Sequence, residues 1–334
     1  MSPENLTNLE VGPMKPKVLL THPLLKEAMD YLAEQTELEL ATSQDFLPHS
    51  ELVQKIKDKE GLLCFLSDTI DQVVLDNAPA LRAISNCAVG INNIDLKLAR
   101  SRGIIVTNTP NILTEPTADL TMALILATTR RIVEADEFCR QGRFQGWRID
   151  LFLGQGLQGK TLGIIGCGQI GQAVARRAQA FGLKIIYYNR HRLSPDREAA
   201  LKAEYRQLDA LLSEADIVSI HASLNPDSDH LINRDKLALM KRSAVLINVA
   251  RGAIVDEKAL AEALKTGQIW AAGLDVYEHE PQIEPDLLSL KNVVLLPHIG
   301  SATYETRLQM SLMAVNNLVE ALAGKIPANL VKDS

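Results

Sequence analysis

From Lys17 almost to the C-terminus, short apolar runs alternate with longer stretches whose apolar residues recur at helical spacing. Lys17–Leu20, Gly61–Leu66, Leu81–Ala88 and Ile104–Val106 are compact apolar runs and predict strands. Between them, Pro23–Gln35 sets Leu24, Leu25, Ala28 and Leu32 on one face and predicts a helix; Asp95–Arg102 predicts another. Continuously apolar strands separated by helices imply a parallel sheet covered on both faces.

A long helix is expected from Thr114, with Thr114 as N-cap and Pro116 in the first turn. Leu120–Ala127 is apolar almost all round, so this helix should be buried. Gly142, Gly146, Gly154, Gly156 and Gly159 then mark a loop-rich stretch. A second series of strands follows: Leu162–Ile165, Lys184–Tyr188, Ile217–His221, Ala244–Asn248, Ile269–Leu274 and Val293–Leu296. A last helix runs from Ser301 to Leu322. The pattern predicts an α/β protein of two Rossmann-like, doubly wound parallel-sheet domains, with a ligand cleft between them.

A length of 334 residues fits two domains of ~150 residues each. A net charge of -6 and an aromatic content of 4% argue against a nucleic-acid-binding protein, which would lean basic and offer stacking surfaces. Cys64, Cys87, Cys139 and Cys167 form no CxxC pair and read as reduced thiols of a cytoplasmic protein. No apolar run is long enough to span a bilayer, and residues 1–16 read as a loose polar tail without a secretory signal.

Directly after the strand Leu162–Ile165 comes Gly166-Cys167-Gly168-Gln169-Ile170-Gly171, then a helix and the strand Lys184–Tyr188. This is the context of a dinucleotide-binding βαβ unit. Gly166 permits the tight turn, Gly168 lets the backbone approach a pyrophosphate, and Gly171 lets helix pack on strand; the helix N-terminus supplies free N–H groups. An NAD site places Asp or Glu at the end of the second strand. Here Asn189 stands there, followed by Arg190, His191 and Arg192. Two guanidiniums and no carboxylate favour a 2′-phosphate, so NADPH is expected, with NADH as the alternative. A plain solvated basic loop is the competing reading of Arg190 and Arg192.

Three segments after strands carry candidate acid–base chemistry. Arg251, in Asn248–Gly252, could hold a carboxylate with its planar fork, or serve as an ion-pair partner. Gly273–Pro281 crowds Asp275, Glu278, His279 and Glu280 together. Pro297–Ser301 contains His298, which could act as a general acid or be a structural histidine. Arginine, carboxylate and histidine at successive strand ends of one sheet could converge on one crevice. Asp275 could orient the cofactor amide or tune the charge. The other histidines, His22, His49, His191, His221, His230 and His279, show no ligand spacing, so no metal is expected.

Read together, the chain resembles the D-isomer-specific 2-hydroxyacid dehydrogenases over Lys17–Pro327, and within them the glyoxylate/hydroxypyruvate reductases. The resemblance rests on Val89–Asp95, Asn108-Thr109-Pro110, the glycine loop, Asn248–Gly252, Gly273–Pro281 and Pro297–Thr303, with Gly61–Asp68 supporting the subgroup. It implies that Arg251, Glu280 and His298 are catalytic. Glu280 is preferred to Glu278 because it directly precedes a proline. The backbone of Val89 and Gly90 would clasp the substrate carboxylate. Gly168, Gln169 and Ile170 would meet the pyrophosphate, Arg190 and Arg192 the 2′-phosphate, and Ser223, Val249, Asp275 and Gly300 would line the cofactor site. The expected reaction is NAD(P)H-dependent reduction of a small 2-keto acid, glyoxylate or hydroxypyruvate. Trp147 would reach into the partner subunit of a homodimer. A discontinuous substrate domain would comprise residues 17–107 and 301–334, and the dinucleotide domain residues 108–300. Two rivals stand beside this reading. One is a dehydrogenase of bulkier substrates, with Leu63, Leu66 and Trp147 making an apolar pocket. The other is an NAD(H)-sensing, corepressor-type binding protein.

Overall fold

In the computed structural model, residues 14–41 and 47–332 are described. Most of the expected N-terminal tail therefore lies outside the described residues. The chain falls into two compact units, one of Met1–Ile112 and Tyr304–Ser334, the other of Leu113–Thr303. Each unit border stands a few residues beyond the one the sequence predicts.

In chain order the first unit contains β1 (Lys17–Leu20), α1 (Lys26–Gln35), β2 (Glu37–Leu40), α2 (His49–Lys55), β3 (Gly61–Cys64), α3 (Gln72–Asp76), β4 (Ala83–Asn86), α4 (Leu96–Ser101) and β5 (Ile105–Thr107). The second unit contains α5 (Thr114–Thr129), α6 (Ile132–Arg140), β6 (Thr161–Ile165), α7 (Gln169–Ala180), β7 (Lys184–Tyr188), α8 (Pro195–Leu201), β8 (Ala203–Tyr205), α9 (Leu208–Glu214) and β9 (Ile217–Ile220). It continues with α10 (Arg234–Leu239), β10 (Val245–Asn248), α11 (Glu257–Lys265), β11 (Ala271–Leu274), α12 (Pro285–Leu288) and β12 (Val293–Leu295). The last helix, α13 (Tyr304–Leu322), returns to the first unit.

Both sheets are wholly parallel. The first has the order β2-β1-β3-β4-β5 and the second β12-β11-β10-β9-β6-β7-β8. Strand order reverses between β1 and β3 in one and between β6 and β9 in the other; such switch points are where open α/β sheets bind ligands, outside the strands' carboxyl ends. Strands β3, β4, β9, β10 and β11 are buried at every residue, as expected of strands covered by helices on both faces.

Several elements differ from the sequence reading. The first helix begins at Lys26 because Leu25 is still extended, at ψ 147°. Thr114 is the first helical residue of α5 and not its cap; Leu113 holds the cap position without a side-chain bond. Helix α5 is buried along one side only, with Ala123 exposed, because it packs on α7 and β11. Strands β2 and β8 were not expected; both are short edge strands, Glu37-Leu-Glu-Leu and Ala-Glu-Tyr, with little apolar run to reveal them. All four cysteines are unpaired.

Candidate active site

The glycine loop leaves β6 at the switch point. Gly166 has φ +92° and a Cβ there would stand 2.4 Å from the Ala222 amide nitrogen, so only glycine fits this turn. Gly171, inside α7, packs against the Gly166 carbonyl as the sequence required. Gly168 caps α7, and no atom lies within 4 Å of where its Cβ would be. The space before the first turn of this 12-residue helix, at Gln169 and Ile170, is therefore open. The Cys167 amide donates to Asn189 Oδ1 at 2.6 Å, so Asn189 pins the glycine loop to the end of β7. Free helix N–H groups, a partial positive charge and open backbone fit a dinucleotide pyrophosphate.

The basic loop after Asn189 is less free than its sequence suggests. Arg192 donates from Nε and Nη2 to both oxygens of Glu198, at 2.7 and 2.8 Å. Its guanidinium lies 5.7 Å from the Tyr205 ring centroid. Glu198 also accepts from the Tyr187 hydroxyl, whose oxygen in turn accepts the Leu193 amide at 2.9 Å. Arg190 is exposed and stands 3.4 Å from Asp227.

Arg251, Glu280 and His298 follow the ends of three adjacent strands, β10, β11 and β12. Asn248 holds the arginine turn: its Nδ2 donates to the Arg251 carbonyl at 2.9 Å and its Oδ1 accepts the Ala250 amide at 3.1 Å. Gly252 lies so close to the next turn that a Cβ would stand 1.8 Å from the Tyr277 carbonyl carbon. That contact draws the arginine turn against the loop bearing Glu280. Burial lowers the Arg251 pKa and the nearby Glu280 charge opposes this; the guanidinium stays a cation at neutral pH.

His298 Nδ1 donates to Glu280 Oε2 at 2.8 Å, while Glu280 Oε1 accepts the Tyr277 amide at 3.0 Å. Burial alone would raise the Glu280 carboxyl. The His298 hydrogen bond and charge, the Tyr277 amide and Arg251 outweigh it and hold the carboxyl below its ordinary range. His298 adopts φ +54°, a left-handed conformation that non-glycine residues seldom take and that concentrates at functional sites. Glu278, the competing carboxylate, accepts instead from His230 at 3.0 Å.

Asp275 is buried, and burial raises its pKa against the favourable Ile299 amide. Its Oδ1 accepts that amide at 2.7 Å, but Oδ2 is buried without a partner. A buried acceptor left open asks for a donor from outside the chain. Gly300, where a Cβ would stand 3.2 Å from Asp275 Oδ2, and Val249 are buried, and the Ser223 carbonyl accepts the Ser228 hydroxyl at 2.8 Å. His221, at the end of β9, is neutral, its pKa pushed down to about 3 by burial, with Nδ1 unpartnered.

In the first unit, the Ala88 carbonyl accepts the Thr109 amide at 2.8 Å and the Val89 carbonyl accepts Asn108 Nδ2 at 2.8 Å. A planar peptide points its N–H opposite its C=O, so these two bonds fix the direction of the Val89 and Gly90 amides. Asn86 Nδ2 holds the Gly90 carbonyl at 2.8 Å, and Asn93 joins Asn86 to the Phe65 and Asp68 carbonyls. Across the switch point of this sheet, Asp68 accepts from the Thr21 hydroxyl and pairs with His22 at 3.2 Å. The sequence reading assigned none of these asparagines a task, although Asn93 and Asn108 stand in motifs it singled out. Leu63 corrects that reading: it is fully buried within β3, so its side chain belongs to the core and not to a pocket wall. Leu66 is half-buried, and Trp147 is 79% exposed.

Residues 122–300 match the family model described as D-isomer specific 2-hydroxyacid dehydrogenase, NAD binding domain. The glyoxylate reductase of Thermococcus litoralis is 48% identical over 322 residues, covering 95% of this chain and 97% of that one. A crystal structure of a glyoxylate reductase from Paecilomyes thermophila superposes with a TM-score of 0.82 at 34% identity, covering 94% of this chain and 97% of that one. An NADPH-dependent glyoxylate/hydroxypyruvate reductase from Sinorhizobium meliloti, solved with NADP and malonate, gives a TM-score of 0.82 at 33% identity, covering 95% and 97%. Among the described residues, no helix is long and apolar enough to cross a membrane, and no group of three or more acidic, histidine or cysteine residues could hold a metal ion.

Proposed function

The chain belongs to the D-isomer-specific 2-hydroxyacid dehydrogenase family, and we propose that it reduces glyoxylate to glycolate and hydroxypyruvate to D-glycerate with NADPH. The observation that carries this reading is the trio at adjacent strand ends, in which Glu280 binds His298 and lies within electrostatic reach of Arg251. Bound NADPH supplies the hydride. The groups that would hold it fit a nicotinamide dinucleotide: the open helix start at Gly168–Ile170 for the pyrophosphate, Arg190 and Arg192 for the 2′-phosphate, and the unfilled Oδ2 of Asp275 for an amide donor.

The chain's own residues do the rest. Arg251 binds the substrate carboxylate and carbonyl oxygen, and its charge stabilises the oxygen as it becomes an alkoxide. The Val89 and Gly90 amides are assigned to the carboxylate. Glu280 occupies Nδ1 of His298, so Nε2 is the nitrogen that gives its proton to the alkoxide. Glu280 in turn holds the ring in the orientation for that transfer.

A homodimer is part of the proposal. Ile132, Val133, Phe144, Trp147 and Ile149, on α6 and the following loop, are exposed apolar side chains. A monomer seldom exposes a group of this size, and a second copy is assigned as its cover. The unpaired cysteines suit a reducing cytoplasm.

Initial rates of NADPH and NADH oxidation with glyoxylate, hydroxypyruvate, pyruvate and phenylpyruvate test the reading. The two small keto acids with NADPH should be fastest. Dominant turnover of phenylpyruvate would replace the substrate assignment, and nucleotide binding without turnover would favour a sensor.

A further inference from the structure

We propose that Glu198 is a specificity-determining residue: it positions Arg192 so that one edge of the guanidinium is held ready for the 2′-phosphate of the cofactor. The inference rests on the NADPH reading and goes beyond it, because Glu198 itself touches no cofactor.

Arg192 is a flexible side chain on an exposed loop, and unrestrained it would surrender much rotamer freedom on binding an anion. Here three contacts restrain it. Glu198 takes Nε and Nη2, Tyr205 lies against the guanidinium, and the side chain still has 63% of its surface exposed. The Nη1 edge makes no contact with Glu198. Glu198 sits behind it at 13% exposure, so the carboxylate is screened from solvent by the arginine it holds.

The anchor is itself anchored. Tyr187, fully buried in β7, donates to Glu198 and accepts the Leu193 amide, so one side chain fixes both the carboxylate and the far end of the loop. Asn189 fixes the near end to the glycine loop. Residues 190–192 are thus a short span pinned at both ends, and of its two arginines Arg192 has the fixed geometry. Arg190, 71% exposed and 3.4 Å from an 80% exposed Asp227, adds charge without a set position.

Calorimetric titration with adenosine 2′,5′-bisphosphate and with AMP tests this without turnover. In wild type the bisphosphate should bind more tightly than AMP. In Glu198→Gln its affinity should fall about tenfold, the worth of one well-placed charged hydrogen bond, with AMP affinity changing less than about twofold. The KM ratio of NADPH to NADH should rise by the same factor. Glu198→Gln on top of Arg192→Ala should add little, because the carboxylate acts through the arginine. A wild type binding both nucleotides equally overturns the NADPH reading and this inference with it. A wild type that prefers the bisphosphate, with a Glu198→Gln variant that keeps or improves that preference, or loses both nucleotides equally, overturns the role of Glu198 alone.

Discussion

His298 Nδ1 lies 2.8 Å from Glu280 Oε2, and this bond decides which imidazole nitrogen can act. With Nδ1 committed to a carboxylate held below its ordinary pKa, Nε2 is the nitrogen that the proposed mechanism uses as acid. Glu280→Gln keeps the shape and removes the carboxylate charge that faces His298 Nδ1. Its kcat should fall about 10²-fold with little change in NADPH affinity. A kcat near that of wild type in stopped-flow turnover would separate Glu280 from the chemistry.

Asn108 tests the amide clasp. Its Nδ2 holds the Val89 carbonyl and thereby directs the Gly90 amide. Asn108→Ala should raise the KM for keto acids about tenfold, the scale of one lost hydrogen bond to a charged group, and leave the NADPH dissociation constant unchanged. Equal losses for substrate and cofactor would reduce Asn108 to a packing residue.

His221 gives a pH prediction. Its pKa is about 3 in the fold against 6.5 as an ordinary histidine. Between those values the unfolded chain binds the proton and the folded chain does not, so stability rises with pH across the window and is lost as pH falls through it. The Tm of wild type should therefore drop more steeply than that of His221→Asn between about pH 6.5 and pH 4. Parallel curves would show that His221 does not titrate on unfolding.

Val133 tests the proposed dimer. It is 52% exposed at the start of α6, among the apolar side chains assigned to the partner. Sedimentation velocity should give a dimer for wild type and a shift towards monomer for Val133→Asp, since a buried unpaired charge is costly. A wild-type monomer would remove the dimer from the account.

The fold was legible in the sequence because its strands are buried on both faces: Ile217–Ile220 and Val245–Asn248 are apolar runs that a parallel sheet needs. Edge strands β2 and β8 have only one neighbour and little apolar signal, which hid them. The glycine turn was legible because Gly166 and Gly171 answer backbone constraints that only glycine meets. Glu198 was not. It lies six residues past Arg192, and nothing in that spacing tells that the turn into α8 brings the carboxylate back onto the guanidinium. Leu63 misled for the converse reason: an apolar residue near a site motif reads equally as pocket or core, and β3, buried at every residue, holds it in the core.

The most direct test of the account is the rate of NADPH oxidation with hydroxypyruvate by wild type and His298→Ala side by side, with NADPH affinity measured on both. The account predicts rapid turnover by wild type, a kcat lower by ~10²–10⁴ in the variant, and matching cofactor affinities. Near-wild-type turnover by His298→Ala would contradict it.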